Sequence, residues 1–167
     1  MQPPDSETTS LGGGSLEPTL ATELLSHRRA TARACVVMSP ATATSVARSE
    51  IAKGDVLGCA RIAGIQASKR TAELIPSVLP ARIGGVVIDF VVGEDRIDIE
   101  AHVDAIDRKG VSMEALTACA VAALTIYDMC KAIDRSMTIG GLEVDETPAG
   151  DASRRHGDPS GERSSSP

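Results

Sequence analysis

The sequence predicts an α+β sandwich, an antiparallel sheet with long helices packed on one of its faces. Three observations carry this. Val86 to Val92 is rich in β-branched residues and Arg96 to Ile106 alternates apolar with polar, with only Gly93-Glu94-Asp95 between them. That pattern reads as a hairpin with one buried face. Two long apolar stretches, from Val56 and from Ser112, have helix start and stop signals. Short strand-like runs lie near both ends, and a sheet with two long helices must bury its apolar face beneath them.

Taken in order, Ala32 to Met38 is the first strand. Pro40 follows, and a short helix fits Ala41 to Ile51. Lys53-Gly54-Asp55 breaks it, with Gly54 allowing a tight turn and Asp55 able to cap the next helix. That helix runs from Val56 to Leu74 and stops ahead of Pro76, because proline disfavours a helical residue before it. After the hairpin, Ser112 is placed to cap a helix that continues to Ile133. Met137 to Val144 is the last strand.

The chain has 167 residues and a net charge of −6, with one Phe and one Tyr among 42% hydrophobic residues. The core must be built from Ala, Val, Ile, Leu and Met, and a core of such small side chains is often supplemented by subunit association. Residues 1–20 and 147–167 are rich in Gly, Pro and Ser without apolar period, and read as disordered tails around a domain of 21–146. No Lys/Arg block is interleaved with aromatics, so nucleic acid is excluded as a partner. The apolar run from Ala115 to Ile126 falls short of the about 20 residues that span a bilayer. The N-terminal stretch is polar and acidic, unlike a secretion signal, so a cytoplasmic protein is expected. Cys35, Cys59, Cys119 and Cys130 form no CxxC pair and share no ligand spacing with the histidines. They read as buried free thiols, with no metal and no cofactor.

The residues with chemistry cluster around the second long helix. Asp128 and Lys131 are three apart, which puts them on one helix face within contact range. Glu114 is 14 residues before Asp128. That spacing is about 40° short of whole turns, which would place all three on one polar stripe. Such a stripe is either a solvated structural feature or one wall of a site, and helical geometry alone leaves both open. Lys53 is equally open between a solvated lysine and a catalytic one.

The segments Lys53-Gly54-Asp55-Val56, Ala60 to Ala67, Lys69-Arg70-Thr71, Leu74-Ile75-Pro76, Met113 to Ala118 and Val121 to Ala132 resemble the MoaC family. These are the cyclic pyranopterin monophosphate synthases of molybdenum cofactor biosynthesis. The resemblance covers about 28 to 144. It implies a ferredoxin-like subunit, a homohexamer built as a trimer of dimers, and active sites between subunits. It also implies a lyase or cyclase that takes 3′,8-cyclo-7,8-dihydro-GTP, rearranges it, releases pyrophosphate and closes a cyclic phosphate. The family's catalytic groups fall on Lys53, Lys131, Asp128 and Glu114. The lysines would serve as general acid and base, with Asp128 orienting Lys131 and Glu114 binding substrate or relaying a proton.

The departures concern substrate binding. The family's LIPLCHPL segment is replaced by Leu74 to Ala81, so its histidine falls on Leu79 and the cysteine before it on Val78. The first glutamate of its helix motif is Ser112. Its C-terminal lysine segment is Thr147 to Asp151, and only Arg28 approximates an N-terminal arginine. Arg28, Lys69 and Arg82 are left to hold anionic substrate, with Val78 and Leu79 forming an apolar wall. The expectation drawn from these losses is a MoaC-like enzyme turned to another small molecule by a non-redox cyclisation, elimination or rearrangement. The alternatives are a working synthase and an inactive structural or regulatory partner.

Overall fold

The computed structural model describes residues 25–148. Along the chain come β1 (Ser26–Val37), α1 (Pro40–Ala47), α2 (Val56–Lys69), α3 (Thr71–Leu74), β2 (Ile83–Val92), β3 (Arg96–Asp107), α4 (Ser112–Cys130) and β4 (Thr138–Pro148). The four strands are all antiparallel to their neighbours, in the order β2-β3-β1-β4. This is the split β-α-β arrangement of ferredoxin-like folds, and the expected fold class holds.

Alternation decides which face of the sheet is covered. Ala30, Ala32, Ala34 and Val36 of β1 and Ile97, Ile99, Ala101, Val103 and Ala105 of β3 are buried beneath α2 and α4. The residues between them point to the other face and pair by charge across the strands. Arg29 sits opposite Asp104 and Arg33 opposite Glu100, with side-chain contacts of 2.7 Å in both cases. Period-2 patterning and strand register therefore agree.

The helices pack closely because their facing residues are small. Ala60, Gly64 and Ala67 of α2 and Ala115, Ala118 and Ala122 of α4 are all buried, and Gly64 lies against Ala118 and Ala122. The expected leucines are absent from this core: Leu124 of α4 is 57% exposed and the buried positions are Ala, Val, Ile, Met and Cys. A leucine between α2 and α4 would hold the helices apart. Two of the four thiols also lie elsewhere than expected, Cys35 being half-buried and Cys59 exposed. The Cys119 thiol is buried and its pKa is pushed up to about 12 by desolvation.

Several boundaries differ from the sequence reading. The long helix from Val56 breaks at Arg70, because the buried Thr71 hydroxyl donates back to Ala67 and Ser68 carbonyls. Ser112 is the first helical residue of α4 rather than its cap, and Val111 precedes it without a side-chain hydrogen bond. Asp55 does cap α2, accepting from Gly58 N at 2.9 Å. β1 begins earlier than expected, and β4 runs on through Thr147 and Pro148, beyond the expected domain end. The remainder of both expected tails lies outside the described residues. α4 is long and apolar enough to cross a membrane, but 56% of its apolar window is buried in the core.

Gly64 is the tightest point. A Cβ there would meet Ala118 O at 2.7 Å and collide with the end of Ile88. Gly64→Ala adds up to about 1 kcal/mol of helix propensity, but overpacking against a neighbouring backbone costs about 1–3 kcal/mol. The expected result in urea unfolding is a lower midpoint with unchanged slope.

Candidate active site

Lys53 lies in the turn that enters α2, where Gly54 takes a φ of 97° that only glycine adopts without strain. The turn aims the lysine at the last turn of α4. Its ammonium donates to the Asp128 carbonyl at 2.8 Å and to Asp128 Oδ2 at 3.1 Å. Lys131, just past the helix end, reaches the other carboxylate oxygen at 2.6 Å. One carboxylate thus bridges two lysines from different elements. The hydrogen bonds and charges of Lys131 and then Lys53 hold the Asp128 carboxyl below its usual range. The expected Asp128–Lys131 contact is present, but Asp128 faces both lysines, so it does not by itself assign one as acid and the other as base.

Lys53 and Lys131 line an open concavity of about 600 Å³ together with Tyr127, Ala132 and Arg135. The segment after α4 is fixed by Asp134, whose buried carboxylate accepts four hydrogen bonds. Ser39 N lies at 2.8 Å, Thr42 Oγ1 at 3.2 Å, Ser136 N at 2.9 Å and Ser136 Oγ at 2.6 Å. These donors, the Ser136 hydroxyl first, hold the Asp134 carboxyl far below its usual range. Arg135 and Asp134 were not singled out from the sequence. The available signal was Asp134-Arg135-Ser136, an Asx-turn pattern that begins three residues after Lys131.

Glu114 is not part of this cluster. It lies 14 residues before Asp128 on the same helix, about 21 Å away along the axis. It does not share an exposed stripe with Asp128: Glu114 is only 4% exposed, whereas the Asp128 side chain is 58% exposed. The reason is the offset of about 40° between them, which straddles the edge of the buried arc. Glu114 falls inside it, where loop residues Asp107, Lys109 and Gly110 close over the helix start. Burial pushes its carboxyl up, and the nearby charges of Asp107 and Glu146 add to this.

Glu114 lines a second, smaller pocket of about 190 Å³ with Val78, Leu79, Lys109 and Met113. The expected apolar wall is therefore at this end, with Leu79 60% exposed. Ser112 starts the same helix, half-buried. Arg28 donates from Nη2 to the Arg108 carbonyl at 2.9 Å, and its Nε is buried without a partner. Arg82 is tied through its backbone N to Asp107 Oδ2 at 3.0 Å. Lys69 is exposed at the end of α2 and lines neither concavity. Within one chain the predicted residues thus form two groups, at opposite ends of α4.

The MoaC family model matches residues 20–150. The chain belongs to the MoaC family. A relative from Mycobacterium tuberculosis, named cyclic pyranopterin monophosphate synthase 3, is 50% identical over 132 residues, 77% of this chain and 75% of the relative. A cyclic pyranopterin monophosphate synthase of Desulforamulus reducens is 52% identical over 119 residues, 71% of this chain and 73% of its own. One from Thermomicrobium roseum is 51% identical over 126 residues, 74% and 76%.

These relatives overturn the expectation of an enzyme turned to another small molecule. Half of the positions are identical across about three-quarters of the chain, in several proteins named for the synthase itself. Within one chain, Leu79, Val78 and Ser112 lie at the Glu114 end of α4, away from the Lys53–Asp128–Lys131 bridge.

Asp134 generates a pH prediction. Its folded-state pKa is depressed, so its contribution to stability is complete above the unfolded value of about 3.9 and is lost as pH falls toward the folded value. Removing the charge with Asp134→Asn should lower thermal stability at pH 7 and shrink the gap to wild type below about pH 4. Thermal unfolding followed between neutral and acid pH checks this; a gap of constant size would deny the carboxylate this role.

Proposed function

We propose that this chain is a cyclic pyranopterin monophosphate synthase, converting 3′,8-cyclo-7,8-dihydro-GTP with release of pyrophosphate. The observation that carries the reading is the single carboxylate held between Lys53 and Lys131 at 3.1 and 2.6 Å. Rearrangement and cyclisation of a nucleotide require protons to be moved to and from carbon-bound oxygen and nitrogen. Two positioned amines can share that work if one begins protonated and the other does not. Asp128 contacts each lysine with a different carboxylate oxygen and fixes both in place. Glu114, kept toward its neutral form by burial, is suited to donate a hydrogen bond or proton.

A complete site on this reading needs two subunits. Glu114 and the lysine bridge are too far apart along α4 for one small molecule to touch both within one chain. The outer helix face also remains apolar, with Ile62 60% and Leu124 57% exposed. Large exposed apolar residues clustered on one face mark association surfaces. A homohexamer with sites between subunits satisfies both observations, each site taking Glu114 from one subunit and the lysines from another.

Conversion of the substrate by the purified chain tests the function. Lys131→Ala and Glu114→Gln should each lower turnover by about 10²- to 10⁴-fold while remaining folded. Unfolding and refolding the two variants together should restore about a quarter of the wild-type rate, because random pairing regenerates intact two-subunit sites. Absence of any product from the wild-type chain would overturn the function, and absence of recovery in the mixture would overturn the shared site.

A further inference from the structure

Among the described residues, Arg135 is the one cation of the larger concavity whose charge is not already engaged. Lys53 and Lys131 both spend a contact on Asp128, and Lys53 also donates to the carbonyl of the last α4 turn. Among the described residues, Arg135 is in no ion pair and no side-chain hydrogen bond, although it lines the same wall.

Its backbone is not free to drift. The residues on both sides are locked together, Asp134 Oδ1 accepting from Ser136 N at 2.9 Å and Ser136 Oγ at 2.6 Å. The other oxygen of the same carboxylate is built into the start of α1, through Ser39 N and Thr42. An arginine on a pinned turn loses less freedom on binding a ligand than one on a loose loop.

The local field also calls for a further cation. The concavity opens at the C-terminal end of α4, where the helix dipole disfavours an anion. The Asp128 carboxylate offsets positive charge on the lysines it bridges, whereas the Arg135 guanidinium adds a positive charge to the same wall with no such offset. A guanidinium presents a planar fork of donors that matches two phosphate oxygens.

We propose that Arg135 binds the phosphate chain of the substrate and retains the pyrophosphate leaving group, with Asp134 as its positioning residue. This rests on the synthase reading for the identity of the ligand. The side chain would touch non-bridging phosphate oxygens and take no part in proton transfer, so its loss should act mainly on binding.

Isothermal titration with inorganic pyrophosphate, alongside steady-state turnover, tests the assignment. Arg135→Gln should weaken pyrophosphate binding about tenfold or more, the loss expected for one charge-assisted contact. KM for the substrate should rise by a similar factor with kcat largely kept. Arg135→Lys should recover part of both, retaining charge without the fork, and it carries the test if the glutamine variant fails to fold. Arg96→Gln, on the sheet hairpin away from the concavity, should bind pyrophosphate as wild type does.

Equal pyrophosphate affinity in wild type and Arg135→Gln would overturn the proposal, as would a wild-type protein that does not bind pyrophosphate. The titration needs no turnover, so the two readings fail separately. Arg135-dependent pyrophosphate binding without product formation would sink only the synthase function. Product formation with Arg135-independent pyrophosphate binding would sink only this inference.

Discussion

The close approach of α2 and α4 is the constraint on which the site depends. Lys53 belongs to the turn before α2, whereas Asp128 and Lys131 belong to the end of α4. A salt bridge across that gap exists only if the helices lie nearly in backbone contact. Gly64 against Ala118 and Ala122 permits this, and a larger residue would press on the Ala118 carbonyl. The alanine-rich core, weak as a source of hydrophobic stabilisation, sets the spacing that the chemistry needs. The bridge itself is about half-exposed, and ion pairs that open to solvent stabilise a fold little. Its geometry is better explained by chemistry than by stability.

The second consequence is a site divided along one helix. α4 presents a buried glutamate at its start and a lysine-rich concavity past its end. The two ends have opposite electrostatic character, one carboxyl driven toward neutrality and another held ionised. A rigid helix cannot bring its own ends together. On the proposed reading, an enzyme that uses both would bring the start of one copy to the end of another, with the exposed apolar residues Ile62 and Leu124 available for that association.

Much of this was legible in the sequence. The hairpin was readable because β3 alternates strictly and β2 ends at a Gly-Glu-Asp turn. The Asp55 cap and the Asp128–Lys131 pair followed from local spacing, and the family motifs placed Lys53 and Glu114. What sequence could not show depends on contacts between distant segments. The break at Arg70 comes from the buried Thr71 hydroxyl, and the burial of Glu114 comes from the 107–110 loop. Arg135 was missed because its significance depends on Asp134 reaching Ser39 and Thr42, over 90 positions earlier in the chain. The departures at Val78, Leu79 and Ser112 were overweighted because they are three positions set against identity at half of about three-quarters of the chain.

The central claim is that Asp128 holds both lysines as one unit that serves the chemistry, and turnover by Asp128→Asn tests it most directly. The isosteric amide keeps the volume and removes the carboxylate charge that faces both lysines. The predicted result is a folded protein of normal oligomeric state with a rate lower by about 10²-fold or more. An Asp128→Asn enzyme with the wild-type rate would contradict it, leaving the bridge as a surface ion pair with no part in the chemistry.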